Sequence, residues 1–99
     1  MIDLSTVEGF DWDEGNARKS LDKHGVTQAE AEQVFSGIPL VAEDVNHSLN
    51  EQRFQALGVT NEGRPLYVTF TLRAGRKKIR IISARDMNRK ERAVYEQAT

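Results

Sequence analysis

Lys23 and His24 stand side by side in the stretch LDKHGVT, directly before Gly25. Imidazole is the side chain whose ordinary titration range suits proton transfer near neutral pH. A neighbouring lysine can bind an anion, or hold the imidazole neutral by like-charge repulsion. Further along the chain, Arg53, Arg73, Arg80 and Arg85 sit amid apolar or small neighbours. An arginine within a strand buries its stem and keeps a planar, permanently charged head free. That head matches phosphate oxygens two at a time. Four of them on adjacent strands near one sheet end would make a shared anion site. Plainer roles exist for all of these residues. Lys and His in a last helical turn complement the helix dipole, and a glycine just beyond supplies the left-handed cap. Strand arginines are often solvated or paired with carboxylates such as Glu43, Asp44 or Glu51.

The bulk composition narrows the choice of partner. With 99 residues the chain suggests one compact domain, 1–99, with a modest core. It has no cysteine, which excludes disulfides and thiolate metal sites, and its two histidines, His24 and His47, match no common metal spacing. No metal or other cofactor is expected. The acidic start, MIDLSTVEGFDWDEG, lacks the features of a signal peptide, and no apolar run approaches bilayer-spanning length. A soluble cytoplasmic protein without membrane contact is the expectation. Net charge is only −1, but it is unevenly spread. Residues 1–52 hold three cations and eleven acids; residues 73–92 hold nine cations and two acids. Either the two regions neutralise each other across the fold, or the basic part meets an anionic partner, with nucleic acid the obvious candidate.

These residues must be positioned by a small set of elements. VEGFDW suggests a short first strand. Asp13 is a plausible N-cap for a helix from Glu14 to His24, with Ala17 and Leu21 on one face and Gly25 as the stop. Thr27 and Glu30 form a capping box for a second helix, whose apolar stripe is Ala31, Val34 and Phe35 and which SGIP ends. Strands are expected at LVAEDV, QRFQALGVT, PLYVTFTL and KIRIISA. In the last, strict alternation puts Ile79, Ile81 and Ser83 on one face and Arg80, Ile82 and Ala84 on the other. Asn88 and Glu91 offer a capping pair for a final helix reaching about Gln97, with Arg89, Lys90 and Arg92 as its solvated face. The result is an α+β domain: two N-terminal helices, an antiparallel meander of three to four strands with a short N-terminal strand added, and a C-terminal helix. Such a sheet packs helices on one face and can leave the other open. Phe10 and Trp12 read as core or staple residues, with Trp12 also a potential stacking surface for a base. His47 lies in the polar loop DVNHSLNEQ and reads as a surface residue.

In order along the chain, FDWDEGNARKSLDKHGVTQAEAEQVF, EQRFQALG, YVTFTLR and IRIISARDMNRKERAVYE resemble the BrnT family of type II toxins. The resemblance covers residues 10–96. One departure is the turn before Arg53, LNEQR, where a glycine close before the Glu would be expected. The resemblance implies a fold like that of the RelE-type ribonuclease toxins and RNA cleavage that arrests translation. It also implies a cognate DNA-binding antitoxin of the BrnA kind that covers the active face. By analogy, the two would form a heterotetramer with two copies of each that represses its own operon.

The chemistry so implied is metal-independent attack of a ribose 2′-hydroxyl on the adjacent phosphate. It needs a base for the 2′ proton, cations for the phosphorane oxygens and an acid for the leaving 5′ oxygen. His24 is the candidate acid or base and Lys23 its neighbour on phosphate. Arg53, Arg73 and Arg85 are the favoured phosphate clamps and Arg80 a further one, while Ser83 and Tyr67 could position ribose or phosphate. The ribosome could form part of the active complex. Two other readings use the same residues differently. A non-catalytic nucleic-acid-binding or corepressor module would need the arginines but not His24. A protein-interaction domain would dock an acidic partner and show no salt-sensitive RNA affinity.

Overall fold

The computed structural model describes residues 4–47 and 50–99. The elements follow in the order β1 (Gly9–Phe10), α1 (Glu14–His24), α2 (Gln28–Ser36), β2 (Leu40–Glu43), β3 (Arg53–Val59), β4 (Pro65–Arg73), β5 (Lys78–Asp86) and α3 (Arg89–Ala98). Local chemistry sets the helix ends where the sequence places them. The Asp13 carboxylate accepts from the Asn16 amide at 3.2 Å and opens α1. Gly25 closes it at φ 66°, a conformation that costs glycine little. Both halves of the Thr27–Glu30 capping box are made, and so are both halves of the Asn88–Glu91 box at the start of α3. The loop DVNHSLNEQ begins with a short 3-10 turn, Val45–His47. Its residues 48 and 49, and with them part of the turn before Arg53, lie outside the described residues.

The sheet has five strands in the order β1-β5-β4-β3-β2. β2 to β5 form the expected antiparallel meander. The added strand β1 pairs with β5 in parallel, so the sheet is mixed rather than wholly antiparallel. Helices α1 and α2 pack on one face. Val26, Ala31 and Val34 meet Phe54, Leu66, Val68, Phe70, Ile79 and Ile81 there, all buried. Phe70 anchors this layer, edge-on to Phe35 at 5.0 Å and stacked with Phe54 at 5.4 Å. Phe10 meets Phe35 edge-on at 5.8 Å, and Trp12 packs partly against the core and donates its indole N–H to Glu32 at 2.6 Å. Gly58 lets α2 approach the sheet: a Cβ there would lie 2.7 Å from Val34 Cγ1.

The low apolar content of α1 leaves it thinly packed and mostly solvated, with Leu21 half exposed, while the expected alternation in β5 is corrected. Ser20 is the buried residue of that helix, and its hydroxyl accepts from the Ala84 amide of β5 at 3.1 Å. A buried amide needs such a partner more than the helix needs another apolar contact. The alternation in β5 breaks. Phe70 pairs with Ile81 but Thr69 pairs with Ser83, so Ile82 is an extra residue in a β-bulge. Beyond it the phase shifts by one. Ala84 joins Ile79 and Ile81 in the core, and Ser83 joins Arg80 and Arg85 on the opposite face.

Candidate active site

At the C-terminal end of β5, Arg85 lies opposite Tyr67 of β4, on the face away from α1 and α2. Its guanidinium sits 4.0 Å from the centre of the tyrosine ring, a cation–π contact. Both terminal nitrogens donate to Glu91 of α3, at 2.8 and 2.9 Å, and one also donates to the Asp86 carbonyl at 3.1 Å. These hydrogen bonds hold the Glu91 carboxyl below its ordinary range. Burial pushes the Tyr67 hydroxyl upward in pKa, against the opposing pull of the Arg85 charge. α3 starts beside this end of β5 and comes against β3, so it spans the end of the sheet, yet buries none of its own residues.

His24 and Lys23 reach the same end of β5 from the other face, as the last two residues of α1. Lys23 is exposed and His24 partly buried. What ties them to β5 is Arg64, a residue the sequence reading passed over. Its guanidinium donates to the carbonyls of His24 and Gly25, at 3.3 and 3.0 Å, and to Glu30 at 3.0 Å. It also grips both carboxylate oxygens of Asp86, at 2.7 and 3.1 Å. Those bonds draw the Asp86 carboxyl below its ordinary range, helped by the charges of Arg64 and His24. Nothing local in NEGRPL announces this role, since the partners lie 22 to 40 residues away in sequence.

The remaining arginines lie elsewhere. Arg53 pairs with Thr71, Thr71 pairs with Arg80, and Arg73 pairs with Lys78, all on the face of Arg85 but at the opposite end of the strands. The expectation of four arginines at one sheet end is therefore corrected. Antiparallel pairing returns β5 past β4, so Arg80 aligns with Thr71 while Arg85 aligns with Tyr67, four residues earlier in β4. At about 3.3 Å per residue Arg80 and Arg53 stand roughly 13 Å from Arg85 along the strands, and Arg73 roughly 20 Å. Arg80 pairs with Asp11 at 3.2 Å and Arg73 with Glu51 at 2.9 Å. The Nε atoms of both are buried without a hydrogen-bond partner. Ser83, opposite Thr69, lies between the two groups on the same face. Among the described residues, no three His, Asp or Glu side chains come together as a metal-holding group.

This arrangement offers an imidazole and an arginine at one strand end, and an open face with further cations beyond it. The family model described as the ribonuclease toxin, BrnT, of type II toxin-antitoxin systems matches residues 12–91. The chain belongs to the BrnT family. Its fold is similar to the crystal structure of the Brucella abortus ribonuclease toxin BrnT, with a TM-score of 0.59 and 22% sequence identity. That similarity covers 84% of this chain and 100% of the Brucella chain. No curated protein matches the sequence. Membership in BrnT makes this chain a ribonuclease toxin, with RNA as its substrate and an antitoxin as its counterpart. Every candidate residue from Lys23 to Arg85, and Arg64 with them, falls within the matched BrnT region.

Proposed function

We propose that this BrnT toxin, acting as one domain of the RelE type, cleaves RNA by metal-independent attack of a ribose 2′-hydroxyl on the adjacent phosphate. The observation that carries the reading is the approach of two elements. The α1 end bearing Lys23 and His24 is tied through Arg64 and Asp86 to the β5 end bearing Arg85. As the 2′-oxygen bonds to phosphorus and the phosphorus–5′-oxygen bond breaks, His24 takes the 2′ proton or supplies the one the 5′ oxygen needs, and Lys23 binds the phosphate. Arg85 stabilises the charge that builds on the phosphorane oxygens. It is held by Glu91 in this structure, so substrate must exchange with that carboxylate. Tyr67 and Ser83 position the ribose or phosphate. Arg53, Arg73 and Arg80 hold phosphates further along the strand, roughly 13 to 20 Å from Arg85, a span that a few nucleotides cover.

The cellular consequence is arrest of translation in the cytoplasm. Neutralisation comes from a BrnA-type, DNA-binding antitoxin that covers this face, in a complex with two copies of each chain. Among the described residues no helix is long and apolar enough to cross a membrane. The test is cleavage of RNA by purified, antitoxin-free protein in EDTA, alone and in a ribosome-containing translation mix. His24→Ala and Arg85→Ala are expected to lose about a hundredfold or more in rate. Cleavage only in the translation mix would make the ribosome part of the active complex. Folded wild-type protein that cleaves in neither would favour the non-catalytic binding module. Retained cleavage by His24→Ala would remove the imidazole from the mechanism.

A further inference from the structure

We infer that Arg64 is the positioning residue of this active site: it sets where His24 stands relative to Arg85 without touching substrate. This rests on the ribonuclease reading above. The side chain is fully committed. A guanidinium has five N–H donors in a rigid fork. Arg64 uses one on Nε, two on Nη1 and two on Nη2, each with its own acceptor at 2.7 to 3.3 Å. Its backbone is equally fixed. The Arg64 amide donates to the Thr60 hydroxyl at 3.1 Å, and its carbonyl accepts from the Thr60 amide at 3.0 Å, closing the β3–β4 turn. The fork therefore projects from a rigid hairpin tip rather than from a loose loop.

The acceptors explain why this is a positioning device and more than a surface ion pair. The carbonyls of His24 and Gly25 are orphan groups at the end of α1, which a cationic donor both satisfies and favours electrostatically. Glu30 belongs to the capping box of α2, so its second oxygen links Arg64 to the following helix. Asp86, gripped in two-point fashion, is the residue after Arg85, and its carbonyl receives an Arg85 N–H. One planar group thus sets three chain segments at fixed distances. The histidine reaches β5 from one face of the sheet and the arginine lies on the other, and this strut joins them at the very end of α1, beyond the Ser20–Ala84 hydrogen bond further back in the helix. A lysine keeps the charge but cannot serve two carbonyls and two carboxylates at once.

The experiment compares wild type, Arg64→Lys and Asp86→Asn as full-length toxin, using steady-state RNA cleavage and NMR of histidine-labelled protein. His47, the other histidine, serves as the internal reference. Folding is checked by circular dichroism and urea denaturation; Asp86→Asn covers the case in which Arg64→Lys fails to fold. Both variants are expected to stay folded and to lose about 10- to 100-fold in kcat, the cost of a small misplacement. KM should stay within about threefold, because the strand arginines that grip RNA are unaltered. The His24 ring resonances should shift or broaden while those of His47 hold still. Unchanged kcat, or an unmoved His24 signal, in a folded variant overturns the inference. A wild-type protein that cleaves no RNA overturns the ribonuclease reading instead, and the histidine spectrum still decides whether Arg64 sets the position of His24.

Discussion

Arg64 and His24 mark the two ends of what single residues reveal in sequence. His24 is visible because its chemistry is intrinsic to its type and its place at a helix end is set by Gly25 one residue on. Arg64 is invisible because its role consists of partners at 22 to 40 residues' separation, brought together only by the β3–β4 hairpin and the α1–α2 corner. The same holds for Glu32, which serves Trp12 across 20 residues. The Arg64 cluster has a consequence for stability. The Asp86 carboxyl is lowered first by its Arg64 hydrogen bonds, and Glu30 first by the Thr27 amide and then by Arg64. Glu91 is lowered first by Arg85. A carboxyl whose folded pKa is depressed adds stability above its unfolded pKa and loses it as pH falls through the folded value. The urea midpoint should therefore be nearly flat from pH 7 to about 5 and drop steadily below about pH 4. In Arg64→Lys that acid-side slope should be shallower. An equal slope in both proteins would place the acid sensitivity in other carboxylates.

At the scale of elements, the local signals are the ones that carry through. The three helix starts are caps formed by residues three apart, and each forms as its sequence dictates. β4 keeps its alternation from Pro65 to Phe70, with Leu66, Val68 and Phe70 buried, and departs from it where Thr71 is buried as well. β5 breaks its alternation at Ile82, because its bulge answers to two neighbours at once. Its first residues pair with β1, and further along Ala84 must meet Ser20 of α1. No property of KIRIISARD by itself announces an extra residue at Ile82. The bulge matters to function, since it turns Ser83 and Arg85 to the face of Arg80 and Tyr67. Gly58 shows a second kind of non-local demand, the space one element leaves for another. Gly58→Ala would bring a methyl group to 2.7 Å from Val34 Cγ1 and push α2 away from β3. A loss of about 1–3 kcal/mol in urea denaturation is the expected result, typical of overpacking. Wild-type stability in that variant would mean that Val34 turns aside at little cost. Because α2 carries Glu30, a displaced α2 should also lower cleavage by loosening the Arg64 strut.

Across the whole molecule, charge asymmetry poses a choice between internal neutralisation and an anionic partner, and the fold uses the same arginines for the first. Asp11 and Glu51 from the acidic half sit on Arg80 and Arg73 of the basic half. These are partly exposed pairs, and such pairs are weak enough to exchange for a polyanion. A sheet face that carries Arg53, Arg73 and Arg80 at one end and Arg85 at the other should therefore bind RNA through phosphates along its length. Each phosphate contact on a single strand contributes a slope of about −0.7 in the logarithm of affinity against the logarithm of salt. Binding of a short single-stranded RNA to the His24→Ala protein, which is expected not to cut it, measures that slope directly. Four arginine contacts predict a value near −3, and Arg73→Ala with Arg80→Ala should bring it closer to about −1.5. Loss of those two contacts should raise KM while leaving kcat within a few fold, since they stand roughly 13 Å (Arg80) and roughly 20 Å (Arg73) from Arg85. The Arg64 variants should show the converse, a lower kcat at constant KM. A wild-type slope of only about −1.5, unchanged in that double variant, would mean that Asp11 and Glu51 keep their arginines, and that these two residues serve the fold rather than the RNA.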